Sequence, residues 1–190
     1  MIEKKFDPKK LDKLNNPGRL IDIPVSFIWD KINKPETSTL LDIGAGTGLF
    51  SCAFAEIAPK YKIIALDISE IMIEWMNINI IPAHPNIKTM LMEEHRVLLN
   101  NEAVDVVIMI NLHHEIDNPE QMVDECFRLL KKGGKIAICD WRKEDIPKGP
   151  PIEIRISSLE AAAQLEKVGF TNIQTFDTFK YNWLIVAEKS

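Results

Sequence analysis

The residues of this 190-residue chain best suited to binding a ligand are a glycine-rich turn and an acid downstream of it. Residues 41–48, LDIGAGTG, run from an apolar stretch into three closely spaced glycines. Glycine permits a tight turn, and its missing side chain lets a ligand lie against the backbone. Asp67 stands 19 residues after Gly48, at the predicted end of the second strand, where a carboxylate can accept hydrogen bonds from both hydroxyls of a ribose. The sequence therefore predicts a site for a ligand that contains a nucleoside.

The spacing of the glycines distinguishes two kinds of nucleotide site. The dinucleotide-binding turn has the spacing GxGxxG and places a pyrophosphate at the start of the next helix. Here Gly44, Gly46 and Gly48 give GxGxG, and Leu49 stands where the last dinucleotide glycine would fall. Two purely structural interpretations stay open. The turn could join strand and helix without a ligand, and Asp67 could cap the helix that starts near Ser69.

A second polar segment, residues 111–115 (NLHHE), follows the most apolar predicted strand. Imidazole titrates near neutral pH, so His114 or His113 is a candidate general base or a wall of an acceptor site. A metal site is the alternative, because imidazoles and carboxylates are ligands. Adjacent histidines in a loop do not converge as histidines four residues apart on a helix do, so no metal is expected. Ordinary loop packing also stays open.

Charged and proline-rich residues follow the predicted fifth strand, over 140–155. Loops at the carboxyl ends of parallel strands frame the ligand crevice, so Trp141 and Arg155 are predicted on the substrate side. A guanidinium can hold an acidic acceptor through two parallel hydrogen bonds. Arg155 is equally able to pair with Glu153 or to close the crevice edge, and Trp141 also suits the core.

Alternating apolar runs and helical patterns supply the elements that would position these residues. Strands are predicted over 39–43, 61–66, 87–92, 104–110, 135–140, 171–176 and 181–187, and helices over 49–58, 70–80, 119–132 and 157–169. The helix from Pro119 is predicted to stop at Gly133 and Gly134. This alternation predicts an α/β fold, a doubly wound and mostly parallel sheet with helices on both faces. Residues 1–38, with a helical pattern over 20–32, form a lead-in to one domain over 39–190.

Composition and charge exclude several classes of protein. With 46% hydrophobic and 27% charged residues, the chain is globular rather than disordered. Its net charge of −5 is opposite in sign to that of most proteins that bind the nucleic-acid backbone. Three cysteines without a CxxC pair predict neither a disulfide framework nor a zinc site. No apolar run reaches the length of a membrane span, so a cytoplasmic protein without membrane or nucleic-acid partners is expected.

Residues 40–49, Asp67 and residues 105–114 resemble class I S-adenosylmethionine-dependent methyltransferases, in particular the small bacterial type related to quinone-biosynthesis methyltransferases. The resemblance covers residues 37–189. It implies a Rossmann-like sheet of seven strands, with an antiparallel strand in the C-terminal hairpin. It also implies S-adenosylmethionine as cofactor and methyl transfer to a small-molecule acceptor, by a monomer or a homodimer.

The resemblance also implies which residues bind the cofactor. They are Asp42, Gly44, Ala45, Gly46, Gly48, Asp67, Ile68, Glu93, Glu94 and Asn111. In this assignment Asp67 takes the ribose hydroxyls, Ile68 lies against the adenine, and Asn111 contacts the methionine end. Asp42 orients the turn or the methionine amine. The family's acid after strand three corresponds to Glu93, within one residue.

In relatives the lead-in often folds over the cofactor as a lid, which would bring Phe6, Arg19 and Leu20 towards the acceptor. Two other classes of function stay open. A nicotinamide-dependent oxidoreductase is disfavoured by the glycine spacing and by the lack of a Tyr-x-x-x-Lys pattern. A non-catalytic S-adenosylmethionine-binding or regulatory protein is kept open by the unusual pair Glu93 and Glu94, because a fold does not fix an activity.

Overall fold

One seven-stranded sheet organises the computed structural model, which describes residues 11–33 and 37–190. Its strands are β1 (Thr39–Ile43), β2 (Lys62–Asp67), β3 (Ile87–Leu91), β4 (Val104–Ile110), β5 (Leu130–Trp141), β6 (Phe170–Phe176) and β7 (Asn182–Lys189). Their order is β3-β2-β1-β4-β5-β7-β6. The pairs among β1 to β5 are parallel, whereas β7 runs antiparallel to both β5 and β6. The predicted α/β fold with an antiparallel C-terminal hairpin strand is confirmed.

Helices cover both faces of the sheet. They are α1 (Leu11–Leu14), α2 (Gly18–Asp22), α3 (Val25–Ile32), α4 (Leu49–Ile57), α5 (Glu70–Asn79), α6 (Pro119–Leu129) and α7 (Ser158–Val168). Helices α6 and α7 and one set of alternate strand residues form one buried apolar cluster. Helices α3, α4 and α5 and the other set of strand residues form a second cluster. Two apolar layers therefore hold the central strands, whose side chains are buried on both faces. Within the described ranges, no helix has both the length and the apolar character needed to cross a membrane.

Two predicted helix boundaries are wrong. The helical pattern over 20–32 forms two helices, α2 and α3, because Pro24 has no N–H and disfavours helical geometry in the residue before it. Helix α6 ends at Leu129 rather than at Gly133 and Gly134, because Leu130 is already extended and pairs with Val104 of β4. The predicted helix starts are confirmed: Asn118 caps α6, and Ser157 forms a capping box with Glu160 at α7.

The direction of the chain across the sheet changes between β1 and β4. From β1 the chain moves outward through β2 to β3, and it then returns to place β4 on the other side of β1. The connections that leave the carboxyl ends of β1 and β4 therefore diverge to opposite sides and leave a crevice between them. In open α/β sheets this is the position where ligands bind.

Candidate active site

A cavity of about 330 Å³ opens at the carboxyl ends of β1, β2 and β4. Such a volume lies in the range of small-molecule sites. The predicted site residues that line it are Asp42, Gly44, Ala45, Gly46, Asp67, Ile68, Glu94 and Asn111. The fold thus brings together most of the predicted cofactor residues, although they come from four separate segments of the chain.

The glycine turn after β1 forms one wall of the cavity and is tied to β2. Gly44 has a φ of +70°, which favours glycine, and a Cβ there would lie 2.6 Å from a methyl group of Leu112. The Ala45 N–H donates to the Leu66 carbonyl at 2.8 Å, and the Gly46 N–H donates to Asp67 Oδ2 at 2.9 Å. The turn therefore presents bare backbone to the cavity in a fixed conformation.

Asp67 stands at the end of β2 and faces the cavity. Its Oδ1 accepts a hydrogen bond from the Ser69 N–H at 2.9 Å, and Ser69, not Asp67, is the residue that caps α5. Burial raises the pKa of the Asp67 carboxyl, although the backbone N–H groups of Ser69, Gly46 and Ile68 oppose this. Because each carboxylate oxygen has a second lone pair, Asp67 can still accept hydrogen bonds from the hydroxyl groups of a ligand.

Asp42 is the more deeply buried acid, with 2% of its surface exposed. The Ser51 hydroxyl donates to its Oδ2 at 2.5 Å. Burial raises the pKa of Asp42 to about 7; the Ser51 hydrogen bond and nearby Arg19 oppose this shift, and Asp67 adds to it. Asp42 therefore changes its charge close to neutral pH.

Two residues from the described part of the N-terminal lead-in line this end of the cavity. A Cβ at Gly46 would lie 3.2 Å from a methyl group of Leu14, and both Leu14 and Arg19 line the cavity. The Arg19 guanidinium donates to the Leu14 carbonyl at 2.9 Å and lies 4.9 Å from the centre of the Phe50 ring. Leu20 instead packs against the apolar cluster that α3, α4 and α5 form with the sheet. Phe6 lies outside the described residues. That this segment acts as a lid stays a prediction.

Asn111 follows β4 in a strained backbone conformation, with a φ of +54°. Its N–H donates to the Cys139 carbonyl at 2.8 Å, and its Oδ1 accepts from Asn182 Nδ2 at 2.7 Å. These bonds from β5 and β7 hold the Asn111 amide against the cavity.

Two predicted cofactor residues lie away from the cavity. Gly48 caps the start of α4, and Glu93 forms an isolated backbone bridge with Arg96 and lines a neighbouring surface pocket. Glu94, one residue later, lines the cavity itself. Of the two neighbouring acids after β3, Glu94 is thus the one that is placed to face a ligand in the cavity.

Neither predicted histidine lines the cavity. His113 is fully buried and its Nε2 lies 2.7 Å from Gln164 Oε1 of α7. His114 is also buried, with Nδ1 2.7 Å from Asp140 Oδ1. Instead Glu115, the last residue of the short 3-10 helix formed by His113–Glu115, lines the cavity.

Trp141 and Arg155 shape the loop after β5 and do not line the cavity. A Cβ at Gly149 would lie 2.9 Å from the Trp141 indole, so this ring packs against the loop backbone. The buried Arg155 guanidinium donates to the carbonyls of four residues of the same loop. These are Arg142, Glu144, Lys148 and Pro150. Because these hydrogen bonds hold the guanidinium inside the loop, Arg155 stabilises the loop and does not face the cavity.

The sequence did not single out Glu115 from the polar residues 111–115, and it did not predict the apolar wall residues. Phe50, Met72 and Met122 line the cavity, but on a helix such residues have the same pattern as any core residue. Glu115 had one signal, its position beside the histidine pair. In the part of the chain described, no three His, Cys, Asp or Glu side chains converge in a way that would hold a metal ion.

Comparison with known proteins connects this geometry to a family. Residues 41–138 match the family model described as a methyltransferase domain. An uncharacterised methyltransferase-like protein of Schizosaccharomyces pombe is 32% identical over 119 residues, which are 63% of this chain and 44% of that protein. A malonyl-[acyl-carrier protein] O-methyltransferase of Methylococcus capsulatus is 28% identical over 103 residues, 54% of this chain and 37% of that one. The chain thus spans less than half the length of these relatives.

A solved structure matches over a far larger share of both chains. The crystal structure of a S-adenosylmethionine-dependent methyltransferase from Aquifex aeolicus superposes with a TM-score of 0.91 at 29% identity. The match covers 98% of this chain and 100% of that one. The likeness therefore extends well beyond residues 41–138, which the family model matches.

Proposed function

This chain belongs to the methyltransferase domain family, of the class I S-adenosylmethionine-dependent type, and from that premise we propose that it transfers a methyl group from S-adenosylmethionine to a small-molecule acceptor. One observation carries the proposal. The bare glycine turn and Asp67 meet at the crevice between β1 and β4, and they are joined by the hydrogen bond from the Gly46 N–H to Asp67. This arrangement suits a nucleoside with an amino-acid tail better than a dinucleotide, because the turn has GxGxG spacing.

The groups that line the cavity match the polar parts of the cofactor. In this proposal Asp67 accepts from the ribose hydroxyls, while Ile68 and Glu94 lie beside the adenine. The backbone of Gly44 to Gly46 adjoins the methionine portion, whose ammonium group pairs with Asp42. The Arg19 guanidinium, the one cationic side chain among the described residues of the wall, pairs with the methionine carboxylate.

The protein's contribution to the chemistry is mainly alignment. When bound, the cofactor supplies a methyl group already activated on a sulfonium sulfur. The turn and Asp67 would fix one reactant, and the strained Asn111 would fix the end of β4 at which the methyl group is transferred. Holding two reactants in line is worth on the order of 7–11 kcal/mol of a barrier.

The cavity of about 330 Å³ lies in the range of small-molecule sites, and in this proposal the cofactor occupies it. An acceptor would therefore enter at the mouth, between the lead-in and the segment after β4.

Calorimetric titration of the full chain tests the proposal. We expect S-adenosylhomocysteine and S-adenosylmethionine to bind and NAD not to bind. Asp67→Ala should weaken binding by about 1–3 kcal/mol, because hydroxyl hydrogen bonds to a carboxylate are lost. Glu70→Gln, an exposed acid in the first turn of α5 that does not line the cavity, is the matched control.

Two further results would separate the alternatives. Binding of NAD without either sulfur compound would overturn the proposal. Transfer of a radiolabelled methyl group to members of a metabolite panel distinguishes an enzyme from a non-catalytic binding protein, since only the enzyme moves the label.

A further inference from the structure

The turn that carries Glu94, residues 93–96, lies between two cavities. Glu94 lines the candidate active site, and it also lines a second, polar cavity of about 530 Å³ between this turn and α6. Among the described residues, Glu94 alone lines both cavities. A turn with open space on two sides has few packing contacts of its own, so its position depends on how its ends are held.

Backbone hydrogen bonds close the turn and hold its first end. The Glu93 N–H donates to the Arg96 carbonyl at 3.1 Å, and the Arg96 N–H donates to the Glu93 carbonyl at 3.4 Å, which places Glu94 near the tip. Just before the turn, the Met92 N–H donates to the Asp67 carbonyl at 3.0 Å. The first end of the turn is therefore attached to the last residue of β2.

An ion pair of α6 holds the second end. Glu125 is 6% exposed, and its Oε1 accepts from the Val97 N–H at 2.8 Å. The Arg128 guanidinium donates to both carboxylate oxygens of Glu125, at 2.8 and 2.7 Å. It also donates to the Val97 carbonyl at 3.1 Å and to the Leu99 carbonyl at 2.9 Å. Val97, the residue after the turn, is thus bonded to this pair through both its N–H and its carbonyl.

The pair is charged although it is largely buried. Burial by itself would raise the pKa of the Glu125 carboxyl, but hydrogen bonds from Arg128 and the Val97 N–H, with the charges of Arg128 and Arg96, hold it below its usual value. The hydrogen bonds of such a pair are strong and directional. Apolar side chains of similar volume would often stabilise a fold equally well, so stability alone does not explain the pair.

We propose that Glu125 and Arg128 are positioning residues for Glu94. By fixing Val97, they hold Glu94 where its carboxylate accepts a hydrogen bond from the amino group of the adenine. This inference rests on the proposed function, in which Glu94 lies beside the adenine. A cationic neighbour such as Arg96 is compatible with this role, because a carboxylate has about four lone-pair sites.

Loss of this positioning should affect recognition of the base and little else in the ligand. A hydrogen bond weakens steeply when donor and acceptor move apart, so a shift of the turn by about 1 Å removes it. The ribose and the methionine portion lie beside Asp67 and the glycine turn in the proposed function, and neither group depends on α6. The preference for adenine over a base without an amino group therefore reports the position of Glu94.

Two ligands measure this preference by calorimetry of the full chain. One is S-adenosylhomocysteine, and the other is its analogue with purine in place of adenine, which lacks only the amino group. The wild-type protein should bind S-adenosylhomocysteine about tenfold more tightly, because a hydrogen bond to a charged group is lost with the analogue. Glu94→Ala should bind the two ligands about equally, since the acceptor is removed.

A single and a double variant separate positioning from stability. Glu125→Leu removes the acceptor for the Val97 N–H and leaves the Arg128 charge without its partner, so its melting temperature should fall. Glu125→Leu with Arg128→Met removes that charge as well, and its melting temperature should be higher than that of the single variant. We expect the preference for adenine to fall by about threefold or more in both variants, because neither holds Val97.

Glu120→Gln is the matched control on the same helix. Glu120 is an exposed acid that pairs with Lys167 at 2.5 Å and lines neither cavity, so its substitution should leave the preference unchanged. A double variant that keeps the wild-type preference, or one in which the preference returns together with the melting temperature, would overturn the proposal, since the pair would then have a merely structural role.

The wild-type protein separates failure of this inference from failure of the proposed function. Equal binding of the two ligands by the wild type would overturn the inference alone, because Glu94 would not contact the amino group. If neither ligand binds to the wild type, the proposed function itself fails and this inference fails with it.

Discussion

Two acids at neighbouring strand ends, Asp42 and Asp67, differ in the hydrogen bonds that their carboxyl groups receive. Asp67 accepts backbone N–H groups on both oxygens, which partly offset the effect of its burial on the pKa. Asp42 receives one hydroxyl hydrogen bond, from Ser51, and its pKa rises to about 7. The charge of Asp42 therefore depends on pH near neutrality.

The stability of the protein should report this titration. An unfolded aspartate has a pKa of about 4, whereas folded Asp42 has a pKa of about 7. The contribution of Asp42 to the free energy of unfolding is therefore fully present below about pH 4 and is lost as the pH rises to about 7. Urea unfolding from pH 4.5 to 8 measures the free energy of unfolding of the wild type and of Asp42→Asn. The wild-type value minus the variant value should fall by about 1.4 kcal/mol per pH unit up to pH 7. Asparagine can still accept from Ser51.

Titration of His114 also lowers the free energy of unfolding as the pH rises. Its folded pKa is raised, so its contribution is present below about pH 6.5 and is lost as the pH rises through the folded value. Because both proteins contain His114, the difference between wild type and Asp42→Asn isolates Asp42. A difference that stays constant from pH 4.5 to 8 would contradict the raised pKa of Asp42.

At the scale of elements, the turn between β1 and α4 depends on the segment after β4. Gly44 has a φ of +70°, and the Leu112 side chain fills the space where a Cβ would stand. The two segments are 68 residues apart in sequence, and they meet because β1 pairs with β4. The turn and the acceptor-side segment therefore form one wall.

Gly44→Ala should disturb this wall. We expect a loss of about 1–2 kcal/mol in the free energy of unfolding, because a non-glycine residue is placed at positive φ. The displaced Leu112 should also weaken S-adenosylhomocysteine in calorimetry. A double variant, Gly44→Ala with Leu112→Ala, removes the contact but not the backbone strain, so it should recover affinity without recovering the stability lost to strain. Unchanged affinity in Gly44→Ala would exclude the turn from the ligand site.

The elements that local patterns encode were predicted, and those set by tertiary contacts were not. The strands, the glycine turn and the capped starts of α6 and α7 follow from apolar periodicity and capping residues. The break at Pro24 is an exception, because it was missed although the proline itself is a local signal. The end of α6 had no local signal, because Leu130 becomes extended through its pairing with β4.

The same difference between local patterns and tertiary contacts applies to the residues of the candidate active site. Asp67 and the glycine turn were predicted because their spacing is a local property of the sequence. The commitment of His114 to Asp140, 26 residues away, and of Arg155 to loop carbonyls requires the fold. Glu115 consequently could not be distinguished from the adjacent histidines by sequence alone.

At the scale of the whole molecule, residues 11–33 of the lead-in contact both the cavity and the loop after β5. Leu14 and Arg19 line the cavity, and Asp22 pairs with Lys148 at 2.7 Å. Arg155 holds that loop through its backbone carbonyls, Lys148 included. The segment that carries Arg19 is thus in contact with the body of the domain at both the glycine turn and the loop.

Arg19→Ala tests whether this segment contributes to cofactor binding. Because a guanidinium–carboxylate pair would be lost, S-adenosylhomocysteine should bind about tenfold more weakly. Methylthioadenosine, which lacks the amino-acid tail, should bind equally to wild type and variant in the same calorimetric assay. Equal weakening of both ligands would mean that Arg19 supports the fold of the cavity and does not contact the tail.

The position of a bound S-adenosylhomocysteine is the most direct test of the account. A crystal structure of that complex should show both ribose hydroxyls within hydrogen-bond distance of the Asp67 carboxylate, the methionine portion along the backbone of Gly44 to Gly46, and the sulfur near Asn111 at the end of β4. A ligand bound elsewhere, or a ribose that makes no contact with Asp67, would contradict it.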